Sequence, residues 1–257
     1  MGYNRKDNKR DMRYALCLHG LIGSLDGKSG ASDSCLDVLD LAYKHLSKYI
    51  LDKNNIDIFI HSWDVEYTKE ILEKFKPIKS NIEIQMQFEG ERRIKNHYSR
   101  WYSFMQSVKL KTEYENENNF KYDGVMVSRF DVAWLNQIKF NKYNMDYFYV
   151  SQWYKGDKIR KDKNKIKDIW FLSSSKNINQ FSNLYLMLDD YNKIEKLKHK
   201  KLGISSHYLA KYHCDENKLK IKKILKLDEG KRGVINVENS DYSLIRHKYS
   251  NKNNLIK

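Results

Sequence analysis

The chain has 257 residues and a formal net charge of +15, from 48 Lys plus Arg against 33 Asp plus Glu. Such a field attracts polyanions, phosphorylated small molecules or an anionic membrane face, while 13% aromatic content argues against a disordered chain. Cys17, Cys35 and Cys214 stand far apart with no C-x-x-C pair, against both a disulfide framework and a thiolate zinc site.

Taken in order, the first segment is a basic arm with Arg5, Lys6, Lys9, Arg10 and Arg13. It could touch an anionic membrane or nucleic acid, although a solvated tail is the plainer interpretation. It lacks the apolar core of a signal peptide, and no uninterrupted membrane-spanning stretch follows, so the expectation is a soluble cytoplasmic protein in a reducing compartment. Residues 13–19 (RYALCLH) suit a strand, and Gly20, Gly23, Gly27 and Gly30 mark a long loop. Apolar residues at helical spacing predict an amphipathic helix over 35–51, then a strand at 56–61 (IDIFIH) with Ser62-Trp63-Asp64 as its exit. A helix over 66–75 ends before Pro77, and 81–88 supplies another strand. The helix over 96–115 carries Tyr98, Trp101, Tyr102, Met105 and Val108 on one face, which suits core better than a stacking platform for bases. The strand around 124–127 follows, and this alternation implies a mainly parallel α/β sheet with helices on both faces. Beyond it, strands are expected at 147–152, 168–173, 219–225 and 234–237, and helices at 178–191 and 205–213. The lysine-rich 155–167 is a candidate mobile loop that closes over a ligand.

Several patterns carry less than they suggest. LCLHG is followed by no G-x-S-x-G, which weighs against an α/β-hydrolase. Gly23 to Ser29 (GSLDGKS) is one residue short of a phosphate-binding loop. It still suits a backbone approach to phosphate, and leaves phosphoryl or sulfuryl transfer as a minor alternative. His207 and His213 do not have the spacing of a helical metal pair, whereas His61 and His247 fall at strand ends, better placed for a site. The lysines of 193–226 read as a solvated face rather than a nucleic-acid groove.

The most informative stretch is 121–134 (KYDGVMVSRFDVAW), where a buried-strand run ends in Arg129-Phe130-Asp131. In open α/β sheets ligands bind beyond the carboxyl ends of the strands. A cation and a carboxylate there can pair with a phosphate and hold a divalent metal, respectively; the plainer interpretation of an isolated R-x-D is a surface Arg–Asp ion pair that closes the strand.

Six blocks together resemble small GT-A-type nucleotide-sugar glycosyltransferases encoded with bacterial surface polysaccharides and in phage and giant-virus genomes. They are His19-Gly20, Ile58-Phe59-Ile60-His61-Ser62-Trp63-Asp64, Tyr98-Ser99-Arg100-Trp101-Tyr102-Ser103, Tyr122-Asp123 through Ser128-Arg129-Phe130-Asp131, Asp168-Ile169-Trp170-Phe171, and Ser206-His207-Tyr208-Leu209-Ala210. The resemblance implies one GT-A-like domain with a Rossmann-like, nucleotide-sugar-binding half at 13–135 and a mixed acceptor-side half at 136–250, between tails at 1–12 and 251–257. It also implies a nucleoside-diphosphate sugar donor and a glycan or glycolipid acceptor, with no specific nucleic acid. His19, Gly20, Trp63, Asp64, Arg100 and Arg129 are expected around the donor. Asp131, with His247, is expected to hold Mn2+ or Mg2+, although Arg129 stands where the family's D-x-D motif has its first acid; the alternative is that Arg129 itself neutralises the leaving diphosphate. Asp168 is the expected base on the acceptor hydroxyl, with His207 as second choice. The alternative function is a non-catalytic basic module that binds nucleic acid or an anionic membrane surface.

Overall fold

The computed structural model describes residues 11–23, 34–155, 158–159, 163–199, 203–229, 235–246 and 255. Its first half alternates strand and helix: β1 (Tyr14–Gly20), α1 (Cys35–Tyr49), β2 (Ile56–Ser62), α2 (Thr68–Phe75), β3 (Lys79–Ile82), α3 (Arg92–Glu117) and β4 (Gly124–Arg129). After the short β5 (Val132–Trp134) come β6 (Tyr147–Lys155), β7 (Lys158–Ile159), β8 (Trp170–Ser173), α4 (Ser175–Ser182) and α5 (Leu188–Tyr191). The chain then forms β9 (Lys198–His199), β10 (Gly203–Ile204), α6 (Ser206–Glu216), β11 (Lys220–Asp228) and β12 (Tyr242–Leu244).

The central sheet runs β11-β6-β8-β4-β1-β2-β3, with β7 folded back on β6 as a hairpin. β3, β2, β1 and β4 are mutually parallel, β8 is antiparallel to both neighbours, and β11 is parallel to β6. The expected α/β class, a mainly parallel sheet covered by helices, therefore holds. Successive residues of a strand face opposite ways. Tyr14, Leu16 and Leu18 of β1 join the core formed with α1 and α2, whereas Ala15 and Cys17 join that formed with α3, α4 and α6. Both faces are covered, which is why β1 and β4 show no polar alternation. The β5–β12 ribbon packs on the α1 side, with Trp134 and Tyr242 in that core. β11 forms one edge of the sheet, where lysines such as Lys220 and Lys222 oppose pairing with another chain.

The structure corrects several sequence expectations. The third strand lies at Lys79–Ile82, not 81–88, because β2 ends at Ser62 opposite Ile82 and offers no partner beyond it. The helix expected over 178–191 is broken by a 3-10 turn between α4 and α5. No strand forms over 235–237 within the expected 234–237, where Ile235 only bridges Glu229. The far end of the lysine-rich 155–167 packs: Ile166 and Lys167 are buried, and Lys167 pairs with Glu229. Residues 156–157 and 160–162 of that loop lie outside the described residues, as do the basic arm to residue 10, Gly27-Lys28-Ser29 and His247. The cysteines are buried free thiols. Among the described residues no helix is long and apolar enough to cross a membrane.

Candidate active site

Parallel pairing sets His61, His19 and Arg129 in one register row across β2, β1 and β4, at the carboxyl ends of these strands. The chain leaves β1 through Gly20, at φ +96, a conformation glycine adopts without strain. The Gly20 N–H donates to Ser103 Oγ at 2.8 Å, and Ser103 Oγ lies 2.7 Å from His61 Nδ1. His61 Nε2 in turn lies 3.0 Å from Glu83 Oε1. This order resembles a serine–histidine–acid relay, but Ser103 is fully buried in mid-α3. The relay ties the strand ends to the helix and offers no nucleophile.

Beyond that row opens a cleft of about 260 Å³, lined among others by His19, Gly20, Trp63, Arg100, Arg129 and Arg246. The Trp63 indole stacks on Tyr102 at 5.5 Å between centroids and 18° between planes, forming an apolar wall. Burial, reinforced by the Arg100 and Arg129 charges, keeps the His19 imidazole well below its ordinary pKa and therefore neutral. Its Nδ1 is buried without a hydrogen-bond partner among the described residues, as are Trp63 Nε1, Arg100 Nε and Nη2, and Arg246 Nη1.

Two carboxylates hold the three guanidiniums. Asp131, fully buried, accepts from Arg129 Nε on Oδ1 at 2.8 Å, and on Oδ2 from Arg129 Nη2 at 2.5 Å and Arg246 Nε at 2.9 Å. Burial alone would raise its pKa, but Arg129 and Arg246 outweigh that and hold it below the ordinary carboxylate range. Asp168, just before β8, pairs with Arg100 through Oδ2 and lies 3.2 Å from His207 Nδ1 through Oδ1. Its pKa stands well below normal, since Arg100 and His207 override burial. His207 Nδ1 also lies 3.0 Å from the Ile166 carbonyl. With two acceptors before it, Nδ1 carries the proton, and Nε2 is the basic nitrogen.

The sequence candidates within the described residues take different parts, and His207 is not among those that line the cleft. His19, Gly20, Trp63, Arg100 and Arg129 line the cleft. Asp64 instead holds its wall, accepting from the Ile22 N–H at 2.5 Å. Asp168, the expected base, is instead held between Arg100 and the His207 Nδ1, and orients His207. Arg246 was not singled out by sequence, although its neighbour His247 was. Only the β5–β12 pairing, long-range in sequence, carries it to the cleft.

Asp131 does not suit a divalent metal. Both its oxygens are engaged by guanidiniums, and a dication about 5 Å from one guanidinium is repelled by roughly 7 kcal/mol at an effective dielectric of about 20. No cluster of three or more His, Cys, Asp or Glu able to hold a metal occurs among the described residues.

No family model matches the chain, and no curated protein matches it in sequence. Among solved structures, it is similar to a protein from Desulfovibrio desulfuricans G20 described provisionally as a nucleotide-diphospho-sugar transferase, at 7% identity and a TM-score of 0.45, over 85% of this chain and 81% of that one. A likeness of that degree does not identify a function.

Proposed function

We propose that the protein is a glycosyltransferase that moves a sugar from a nucleoside-diphosphate sugar to a hydroxyl of a glycan or glycolipid. The observation that supports this most is the convergence of Arg100, Arg129 and Arg246 on a cleft at the strand carboxyl ends, with buried N–H groups of Arg100 and Arg246 left over. Buried donors call for acceptors, and phosphate oxygens match the planar guanidinium fork. Negative charge develops on the departing diphosphate as its bond to the sugar breaks, and cations fixed beforehand stabilise that charge. The Trp63–Tyr102 wall suits the flat face of a nucleobase or the apolar face of a sugar.

An alcohol is a poor nucleophile unless its proton is removed as it attacks. In this mechanism His207 Nε2 takes that proton, while Asp168 holds the ring and stabilises the imidazolium. The acceptor oxygen bonds to the anomeric carbon as the carbon–oxygen bond to the diphosphate breaks, its electron pair leaving with the phosphate. One displacement of this kind inverts configuration. The test is a melting series with UDP-, GDP- and TDP-linked sugars, followed by assay of nucleoside-diphosphate release with glycan acceptors. At least one donor should raise Tm and be consumed, and a panel that leaves Tm unmoved would overturn the proposal.

A further inference from the structure

The geometry points to Arg129 and Arg246, fixed side by side on Asp131, as the cationic partner of the donor diphosphate in place of a divalent metal. This inference rests on the cleft being a nucleotide-sugar site, and adds that binding there needs no metal ion. Three observations carry it. First, Asp131 is the acid of the Arg129-Phe130-Asp131 edge, and both of its oxygens are occupied by the two guanidiniums. It therefore acts as the anchor of two cations and has no oxygen facing the cleft unclaimed.

Second, two guanidiniums share one ion-paired carboxylate. Arg129 and Arg246, partly buried at the cleft, both pair with Asp131, with Asp64 the next carboxylate acting on Arg246, and Arg246 Nη1 has no hydrogen-bond partner among the described residues. An unpartnered donor beside clustered guanidiniums favours an anionic oxygen over water or a neutral group. Arg100, on the facing helix, carries the same signature at Nε and Nη2.

Third, the loop leaving β1 is shaped around Arg246. Gly23 sits at φ +78, and a Cβ there would fall 2.3 Å from Arg246 Nη1 and 2.6 Å from its Cδ. The glycine leaves space that the guanidinium fills. Arg246 is thus accommodated from both sides, by Asp131 and by a missing side chain.

The arrangement makes a distinct demand on experiment. Calorimetric titration of the full chain with UDP, GDP, CDP and dTDP, in EDTA and again in excess Mn2+, reads binding without turnover. One nucleoside diphosphate should bind with the same Kd in both buffers, within about twofold. Arg246→Ala and Arg129→Ala should each weaken it by about ten- to hundredfold. Arg246→Lys, which retains the charge on Asp131, should weaken it less, and melting confirms that each variant is folded. Binding that appears only with Mn2+ overturns this inference and leaves the transferase proposal standing. Wild-type affinity in folded Arg246→Ala overturns it too. Absence of binding by all four in both buffers overturns the transferase proposal, and this inference with it.

Discussion

Helix α3 carries two inward-facing cations, the partly buried Arg100 and the fully buried Lys111, and the protein treats them differently. Lys111 is fully buried, and its three N–H donors go to Glu115 Oε2 at 3.0 Å, Ser175 Oγ at 2.6 Å and Asn179 Oδ1 at 2.7 Å. Glu115 is complete as well, since its Oε1 accepts the Tyr122 N–H at 2.9 Å. Arg100 has one carboxylate partner, Asp168, and two buried nitrogens with none among the described residues. The saturated cluster ties α3 to α4 and to the entry of β4. The unsaturated one faces a cleft. Both are cations paired with a carboxylate on the same helix, but Arg100 is partly exposed and keeps bonds left over, and these two differences separate a structural ion pair from a ligand site.

The sharpest way to break this contrast is at His207, which Asp168 joins to Arg100. His207→Gln should lower transfer by about 10²–10⁴-fold, the usual range for a general base, with nucleoside-diphosphate affinity and Tm unchanged. Equal losses in affinity and rate would mean that His207 only shapes the site. On the structural side, Lys111→Met leaves Glu115 buried without its main countercharge and should cost about 3–5 kcal/mol of stability. Chemical denaturation would show it, and Lys111→Met with Glu115→Gln should recover much of the loss. A single variant as stable as wild type would show that the cluster is not needed for the fold.

A third test uses pH. Burial lowers the pKa of His97 and of His213 to about 4, against about 6.5 in an unfolded chain. Above pH 6.5 both are neutral in either state and cost nothing. As pH falls from about 6.5 toward 4 the unfolded chain gains protons that the folded one refuses, so each histidine removes up to about 1.4 kcal/mol per pH unit. Asp131 and Asp168, with depressed pKa values, add their loss only below about pH 3.9, the unfolded aspartate value. Denaturation between pH 7 and 4.5 should thus show falling stability, with a shallower slope in His213→Gln. A flat profile would contradict the buried-histidine account. The smallest effect expected is at Arg129. Arg129→Ala should weaken diphosphate binding by about thirtyfold and Arg129→Lys by less, because an ammonium cannot make the bidentate contact. Indistinguishable affinities in the two variants would mean that the guanidinium fork is not used.

Much of the fold was legible because local pattern and tertiary outcome agree. β1, β2, β4, α1 and α3 fall within a few residues of where period and turn residues place them. The misses have physical causes. Ile82, Ile84, Met86 and Phe88 alternate as a strand should, yet Ile84 is 82% exposed, because period cannot supply the neighbouring strand that pairing needs. The apolar aromatic face of α3 was found, but not the buried polar row Ser99, Ser103, Ser107, Lys111 and Glu115. Its four-residue spacing was in plain view, and the rule that charge marks surface hid it. At the site, the edge of β4 was legible because the chain itself places Arg129 beside Asp131. Arg246 was not, because it lies 115 positions from its partner.

That separation also bears on when the protein acquires its cleft during synthesis. Domains fold as their segments emerge, and contacts distant in sequence form last. β1, β2 and β4 can assemble, and Arg129 can meet Asp131, while residues 242–246 have yet to be made. Until β12 adds itself to β5, Asp131 holds one guanidinium instead of two. A nascent chain would therefore present an edge one cation short, and the Arg246 guanidinium would arrive only with β12.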